Sequence, residues 1–319
     1  MKISDIGGEF GLIERIKDKI KLYSKDVIVG IGDDAAVLRY NKNSCLLFKT
    51  DMLVEDVHFS LKYFTPEQIG AKAIEQNVSD IASMGGLPKF AVASLAMPKN
   101  TGLEFIDRLY KGINKAAQKY RMSIVGGDLS QANKLMISIA LIGFVEKKYL
   151  TLRSRARVND LIFCSGNAGA SSIGLELLRR SINGKSAKKH LEPESRLNLA
   201  RKIVKIGVNS MTDVSDGIAS EVRHICHESK IGAIIYADKI PISKNTINVS
   251  KKIKKNPLEF ALYGGEDFEL VFTAKKGKLK RLKKHDVSVI GKIVNKKYGI
   301  KLIKNNRKYD LKNGFEHFR

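Results

Sequence analysis

The sequence predicts an α/β protein of two domains, and three observations support that prediction. The chain has 319 residues, which is longer than most single domains and favours two domains of about 150 residues each. Short apolar runs bounded by glycine and aspartate alternate with stretches of helical periodicity, as in α/β proteins. A basic, irregular segment at 147–160 interrupts the alternation. We therefore predict an N-terminal domain over 1–147 and a C-terminal domain over 148–319.

The sequence of the first half predicts strands that alternate with two helices. Thr65 suits an N-cap and Pro66 suits the first helical position, so a helix begins there. Gly85 and Gly86 end this helix before Pro88. The other elements predicted in this half are strands at 27–29, 45–48, 90–97 and 136–145 and a helix at 103–120.

A second α/β series of similar size follows the basic segment. It begins with a strand at 161–164, a glycine-rich turn at 165–169 and a helix at 171–180. The later elements are a helix at 194–206, a helix that begins near Asp216, and strands at 231–236, 269–273 and 287–293. No repeat between the two halves is strong enough to indicate duplication.

The composition is strongly basic. Fifty-seven Lys and Arg against 33 Asp and Glu give a net charge of +24, which raises the expectation of a polyanionic partner. The basic runs, such as 251–255 and 276–284, lie mostly in the C-terminal third and are typical of solvated surface. The chain has no Trp and no RNA-binding aromatic run or zinc-finger spacing. We expect no specific nucleic-acid partner, and a basic nucleic-acid-binding protein stays open as an alternative.

The apolar residues and the cysteines predict the compartment. No uninterrupted apolar stretch reaches the length of about 18 residues that a membrane span needs. The three cysteines, Cys45, Cys164 and Cys226, are odd in number and widely spaced, which fits neither a disulfide framework nor a CxxC metal site. We expect a cytoplasmic protein without a membrane span.

Carboxylates recur beside glycine or a hydroxyl residue near the ends of predicted elements. The motifs are Gly32-Asp33-Asp34, Thr50-Asp51, Ser79-Asp80, Gly126-Gly127-Asp128, Asp213-Val214-Ser215-Asp216-Gly217 and Gly264-Gly265-Glu266-Asp267. Each motif alone is explained by turn formation. Together, near strands whose loops converge, they would repel unless cations neutralised them. Oxygen-rich sites without His or Cys suit Mg²⁺, and glycine lets the backbone approach a phosphate. The pattern predicts a site for two or more Mg²⁺ ions and a nucleotide.

Other phosphate-binding signatures are weak. The chain contains no GxxxxGK[ST] motif and no HRD or DFG set of protein kinases. The turn Gly166-Asn167-Ala168-Gly169 lies between a predicted strand and a helix. It is either a phosphate cradle at the helix N-terminus or a packing turn, and the sequence leaves both open.

The acidic motifs resemble those of thiamine-monophosphate kinase, in the superfamily of aminoimidazole ribonucleotide synthetase, and the resemblance runs nearly end to end. Three further motifs are similar to the kinase branch in particular: Gly8-Glu9-Phe10 near the start, His58-Phe59, and Gly314-Phe315-Glu316-His317-Phe318. The longest shared stretch is Asn77-Val78-Ser79-Asp80-Ile81-Ala82-Ser83-Met84-Gly85.

The resemblance implies the two-domain aminoimidazole ribonucleotide synthetase-like fold and a homodimer whose N-terminal strands form a barrel across the interface. It implies an N-terminal domain that binds ATP and Mg²⁺ and dimerises, and a C-terminal domain that completes the active site. The implied activity is in-line, Mg²⁺-assisted transfer of the γ-phosphoryl group of ATP to thiamine monophosphate, which yields thiamine diphosphate. A phosphate acceptor is already anionic and needs no general base, so metal ions and positioning would carry the rate.

The resemblance also implies roles for individual residues. The implied metal ligands are Asp34, Lys49, Thr50, Asp51, Asp80, Asp128, Asp213 and Asp216. The implied ATP contacts are Tyr110, Gly127, Arg153 and Ser215. The implied contacts with thiamine monophosphate are His58, Glu266 and Phe315.

Four of these residues carry alternatives that the sequence leaves open. Lys49 stands where the family usually has a small hydroxyl residue, so either its backbone carbonyl is the ligand or its ammonium weakens or replaces one metal. His58 either donates a hydrogen bond to a phosphate or is a structural histidine. Phe315 either stacks on a heterocycle or anchors the tail, and Arg153 either pairs with a phosphate or is a solvated charge. Another ATP-dependent synthetase of the superfamily is the alternative activity.

Overall fold

The computed structural model describes residues 2–182, 184–311 and 314. The first half forms a six-stranded sheet in the order β1-β2-β3-β6-β4-β5. Its strands are β1 (Val27–Val29), β2 (Ala36–Arg39), β3 (Ser44–Val54), β4 (Leu87–Met97), β5 (Ser123–Gln131) and β6 (Met136–Glu146). All neighbouring strands are antiparallel except β4 and β5, which are parallel.

Three helices belong to the first half: α1 (Gly8–Lys17), α2 (Pro66–Ser83) and α3 (Leu103–Lys119). The N-terminus of α2 is a capping box, in which the predicted N-cap Thr65 pairs with Gln68. The Thr65 hydroxyl accepts the backbone N–H of Gln68, and the Gln68 side chain accepts the backbone N–H of Thr65. These bonds satisfy two donors that the helix itself cannot use.

The second half forms a seven-stranded sheet in the order β13-β12-β9-β11-β7-β10-β8. Its strands are β7 (Leu161–Ser165), β8 (Ser210–Asp213), β9 (Gly232–Tyr236), β10 (Leu270–Ala274), β11 (Val287–Val294), β12 (Ile300–Lys304) and β13 (Arg307–Asp310). Its helices are α4 (Ala170–Arg179), α5 (Lys188–Leu191), α6 (Leu197–Ile206), α7 (Ile218–Ser229), α8 (Lys244–Lys252), α9 (Pro257–Tyr263) and α10 (Leu279–Leu282).

Helix α2 joins the two halves. It packs against β3 and β6 on one side and against β8 and α6 on the other, so even its polar side chains are largely buried. One hydrophobic core runs through both halves around α2 and includes Phe163 and Phe272, whose rings stack 5.0 Å apart. A second core lies between the other face of the seven-stranded sheet and α7. The end of α2 and the end of β8 are thereby neighbours.

The six-stranded sheet has an open face that no described element covers. Alternation along β3 turns Lys49, Asp51 and Leu53 towards α2 and leaves the side chains between them on the opposite side. Cross-strand register places the following residues on that side, which we call the open face: Phe48, Thr50, Met52, Phe90, Val92 and Asp128. Within the described residues this sheet is open and forms no closed barrel, so the predicted barrel is not a feature of a single chain.

Most predicted elements are confirmed within a few residues. The strand predicted at 45–48 runs on to Val54, and residues 123–131, for which no element was predicted, form β5. None of the helices in the described part of the chain has the length and apolar character to cross a bilayer. The first sheet ends at Glu146 and the second begins at Leu161, while the boundary between 147 and 148 stays a prediction.

Candidate functional site

Three buried carboxylates from different parts of the chain converge. Asp34 follows β1, Asp80 lies in the last turn of α2, and Asp213 ends β8. One carboxylate oxygen of each lies within 4.8 Å of the other two. Two of these acids come from the first half and one from the second. We call Asp34, Asp80 and Asp213 the carboxylate triad.

Serine side chains of α2 hold the triad in place. The Ser79 hydroxyl donates to Oδ2 of Asp213 at 2.6 Å, and the Ser83 hydroxyl donates to the carboxylate of Asp34. Positions 79 and 83 are one helical turn apart, so their side chains share a face of α2. The helix therefore binds the acids of both halves through adjacent side chains.

Arg153 contacts the triad from the segment between the halves. Its guanidinium forms an ion pair with the carboxylate of Asp34, and its backbone N–H donates to Oδ2 of Asp33 at 3.0 Å. Nη1 also lies 2.9 Å from Nδ1 of His224. Because the guanidinium is always protonated, His224 accepts this bond as a neutral imidazole. Burial and Arg153 hold the pKa of His224 well below its usual value. Arg153 is thus not a solvated linker charge.

The side chain of Lys49 lies between Asp80 of the triad and the neighbouring Asp51. Its Nζ lies 3.0 Å from Oδ1 of Asp51 and 3.0 Å from Oδ2 of Asp80. Burial disfavours the charged ammonium, but Asp80 and Asp51 together raise the pKa of Lys49 above its usual value. Lys49 is therefore protonated, and its ammonium stands between two predicted metal ligands.

The triad and the acids around it carry more negative charge than Lys49 and Arg153 neutralise. Burial, reinforced by the charge of nearby acids, raises the pKa of Asp33, Asp213 and Asp216 to about 7. The pKa values of Asp80 and Glu221 are also raised, mainly by burial. A divalent cation would reduce the repulsion between these carboxylates. Carboxylate oxygens are hard ligands that suit Mg²⁺. The residues present fit such an ion.

Asp216 and Ser215 lie beside the triad rather than in it. Oε1 of Glu221, on the first turn of α7, accepts the backbone N–H of Asp216 at 3.1 Å and the Ser215 hydroxyl at 3.3 Å. Gly217 has φ +97°, and a Cβ there would lie 2.6 Å from the carbonyl oxygen of Leu262. Only glycine fits this sharp turn between β8 and α7.

A second cluster joins two predicted substrate contacts. Nζ of the fully buried Lys72 lies 2.6 Å from Oε1 of Glu266 and donates to the backbone carbonyl of His58 at 2.6 Å. Nδ1 of His58 accepts the backbone N–H of Val54 at 3.1 Å, which leaves the proton of a neutral ring on Nε2. Nδ1 of His190 lies 3.3 Å from Oε2 of Glu266. Burial disfavours the charged form of Glu266, but Lys72 and His190 outweigh burial and lower the pKa of Glu266 below its usual value.

The backbone N–H groups of the glycine-rich turn before α4 bind a carboxylate of this chain. The backbone N–H groups of Gly169 and Ser171 donate to the carboxylate of Asp267 at 2.6 and 2.9 Å. A carboxylate at a helix N-terminus satisfies the same donors that a phosphate would. Of the two interpretations that the sequence left open, the structure favours the packing turn.

The remaining predicted residues are not brought to the triad. Thr50 and Asp128 lie on the open face, where the Thr50 hydroxyl is 3.3 Å from that of Ser138. Gly127 allows close strand packing, since a Cβ there would lie 1.9 Å from the carbonyl oxygen of Ala93. Tyr110 lines a groove along α3. Phe315 lies outside the described residues.

Several residues that bind these groups were given no individual role in the sequence analysis, although Asp33 and Ser79 stand in its acidic motifs. They are Asp33, Lys72, Ser79, Ser83, His190, Thr212 and Glu221. The spacing of Ser79 and Ser83 around Asp80 was a usable signal, because all three lie within one turn of a predicted helix. Lys72 had a weaker signal, as the one charged residue in the stretch 69–74 of the predicted helix.

Comparison with known proteins places this fold and site in a class. The family model "AIR synthase related protein, N-terminal domain" matches residues 32–145, and "AIR synthase related protein, C-terminal domain" matches residues 157–303. The chain is 36% identical to thiamine-monophosphate kinase of Bacillus subtilis, over 98% of this chain and 99% of that protein. It is 38% identical to the Aquifex aeolicus protein of the same name, over 86% and 87%.

A solved structure agrees over the whole chain. "AaThiL complexed with AMPPCP and TMP" superposes with a TM-score of 0.88 at 35% identity, and covers 100% of this chain and 99% of that chain. The two-domain fold and the matched models define an AIR synthase related protein. Within that class, the chain belongs to the thiamine-monophosphate kinase family, as the sequence motifs indicated.

Proposed function

We propose that this chain transfers the γ-phosphoryl group of ATP to thiamine monophosphate and releases ADP and thiamine diphosphate. The observation that carries the proposal is the carboxylate triad, because three buried acids from both halves need cations that two anionic substrates can share. The choice of substrates is supported by the relatives, which are named thiamine-monophosphate kinase. The superposed structure contains TMP together with AMPPCP, a non-hydrolysable analogue of ATP.

Mg²⁺ is the proposed cofactor, and Asp34, Asp80 and Asp213 are its first proposed ligands. Bound Mg²⁺ would neutralise the phosphates and hold them in line. Asp51 and Asp216 lie at the edge of the same cluster and extend the proposed ligand set. Thr50 and Asp128 complete the set that the family motifs imply, although both lie on the open face in a single chain.

Residues of this chain are proposed to bind each substrate. Arg153 and Ser215, beside the triad, would contact ATP, together with Tyr110 and Gly127 of the first half. On the other side, Glu266 stays ionised and suits the cationic thiazolium ring of thiamine. Nε2 of a neutral His58 would donate to an acceptor oxygen. Phe315 would stack on a heterocycle.

The proposed assembly is a homodimer formed through the open face. Phe48, Met52 and Phe90 are apolar side chains exposed on this face, and β5 presents an unpaired edge within the described residues. Exposed apolar patches and unpaired edges mark interaction surfaces. A second copy placed there would join two open sheets into the barrel that the family resemblance implies, with 1–147 as the dimerising domain and 148–319 completing the site. The three buried, unpaired cysteines suit the cytoplasm.

A turnover assay tests this function. Purified protein is incubated with ATP, Mg²⁺ and thiamine monophosphate, and products are separated by chromatography. We expect equimolar ADP and thiamine diphosphate, and no product with EDTA. Parallel reactions contain thiamine or formylglycinamidine ribonucleotide as the acceptor, and ADP formed only with the latter would favour a synthetase instead. Absence of thiamine diphosphate at every Mg²⁺ concentration would overturn the proposal.

A further inference from the structure

The ammonium of Lys49 stands where a cation is expected between two of the acids. Asp51 follows Lys49 by two positions on β3, so both side chains turn towards α2 and meet Asp80 there. The side chain of Lys49 is 18% exposed, and that of Asp80 is 10% exposed. Both carboxylates bind the same Nζ at 3.0 Å. The contact is a charge-assisted bridge inside the site rather than a surface ion pair.

We propose that the ammonium of Lys49 is a permanent cation of the site, which replaces one divalent ion between Asp51 and Asp80. The chain accordingly binds one Mg²⁺ fewer than it would with a small neutral residue at position 49. The identity of the replaced ion rests on the proposed function, whereas the bridge itself rests on geometry alone.

The chemistry of the two cations makes them mutually exclusive. Mg²⁺ requires oxygen ligands at about 2.1 Å in octahedral geometry, whereas both carboxylates face an ammonium at hydrogen-bond distance. A dication in the same gap would also repel the ammonium at a separation of only about 3–4 Å. The ammonium supplies one positive charge to two carboxylates and occupies one side of Asp80, a member of the triad.

Counting bound Mn²⁺ tests the proposal without turnover. Mn²⁺ stands in for Mg²⁺, and electron paramagnetic resonance of the free ion gives the number bound per chain in the presence of AMPPCP. We expect Lys49→Ser to bind about one Mn²⁺ more than the unaltered protein, since the vacated gap offers two carboxylates. Lys49→Arg, which keeps the charge, is expected to match the unaltered protein. Lys42→Ser, in an exposed loop of the same sheet, is the matched control.

Equal Mn²⁺ counts in Lys49→Ser and the unaltered protein would overturn the proposal, because the ammonium would then move aside when metal binds. A second measurement does not depend on the folding of the variant. Anomalous scattering from crystals of the unaltered protein with Mn²⁺ and AMPPCP should show no peak between Asp51 and Asp80, and a peak there would overturn the proposal too. An inactive unaltered protein with the expected difference in counts would reject the kinase function and leave the Lys49 bridge standing.

Discussion

Lys72 and Glu266 form an ion pair of 2.6 Å between the two halves of the chain. Lys72 lies in the middle of α2 and is fully buried, while Glu266 lies in the loop before β10 with φ +63°. The same ammonium holds the backbone of His58. One buried cation therefore fixes the relative position of two proposed contacts with thiamine monophosphate. Its role is positioning, since it acts through its neighbours.

Replacing this cation should destabilise the fold and weaken acceptor binding selectively. Lys72→Met leaves Glu266 without its partner in a largely buried site, which costs about 3 kcal/mol of unfolding free energy. We expect the KM for thiamine monophosphate to rise while the KM for ATP changes little. Denaturant unfolding and steady-state kinetics measure the two effects. The double variant Lys72→Met with Glu266→Gln should recover most of the stability, and strictly additive losses would contradict the pairing.

The triad should be required for turnover but not for folding. Asp213→Asn keeps an acceptor for the Ser79 hydroxyl and removes one of three crowded negative charges. We expect turnover to fall by about 100-fold or more, while the unfolding free energy without metal stays constant or rises. Asp238→Asn, at an exposed position of the same half, is the control. Turnover within a fewfold of the unaltered protein would refute the assignment of Asp213.

His190 should make stability depend on pH. Burial lowers the pKa of His190 to about 4 from a usual value of 6.5, although Glu266 opposes the shift. The unfolded chain therefore takes up a proton before the folded chain as the pH falls, so folding stability decreases between pH 6.5 and pH 4. The expected loss from this group is about 2 kcal/mol between pH 7 and pH 5. Denaturant unfolding of His190→Asn at both pH values should show a smaller decrease.

The control for this measurement is His227→Asn, which removes an exposed histidine of the same half and leaves the surroundings of Glu266 intact. An unaltered pH dependence in His190→Asn would show that His190 is not held neutral by burial.

The open face should mediate dimerisation. Met52 is 52% exposed in the single chain, and Met52→Glu places a charge in the middle of this face. Burying that charge against a second copy is costly, so we expect the variant to be monomeric. Light scattering coupled to size-exclusion chromatography measures the mass. Leu103→Glu, at the start of α3 and 84% exposed, should keep the mass of the unaltered protein. A dimer that persists in Met52→Glu would place the interface elsewhere.

Much of the fold was predictable because local signals were strong. The Thr65 cap, Pro66 and the Gly85-Gly86 stop bound α2 within two residues. No element was predicted at 123–131, because Gly126 and Gly127 are uncommon inside strands. The structure explains them instead by the approach of β4, whose Ala93 carbonyl leaves no room for a Cβ at position 127.

The site was predictable as a set of acids but not as an arrangement. Thr50 and Asp51 are adjacent in sequence, yet alternation along β3 sends them to opposite faces of the sheet. That outcome follows only once 44–54 is known to be a single strand. The bridge from Lys49 to Asp80 joins a strand to a helix and depends on tertiary packing, as does the meeting of Asp34 with Asp213. Local periodicity carries no information on such contacts.

The most direct test asks whether one set of cations lies between the two substrates. Phosphorus NMR is recorded on the protein with AMPPCP and thiamine monophosphate while Mn²⁺ is titrated in. We predict paramagnetic broadening of both the AMPPCP and the thiamine monophosphate resonances, and its loss in Asp213→Asn. Broadening of the nucleotide signals alone, or broadening that Asp213→Asn leaves unchanged, would contradict a metal centre held by the triad between both phosphates.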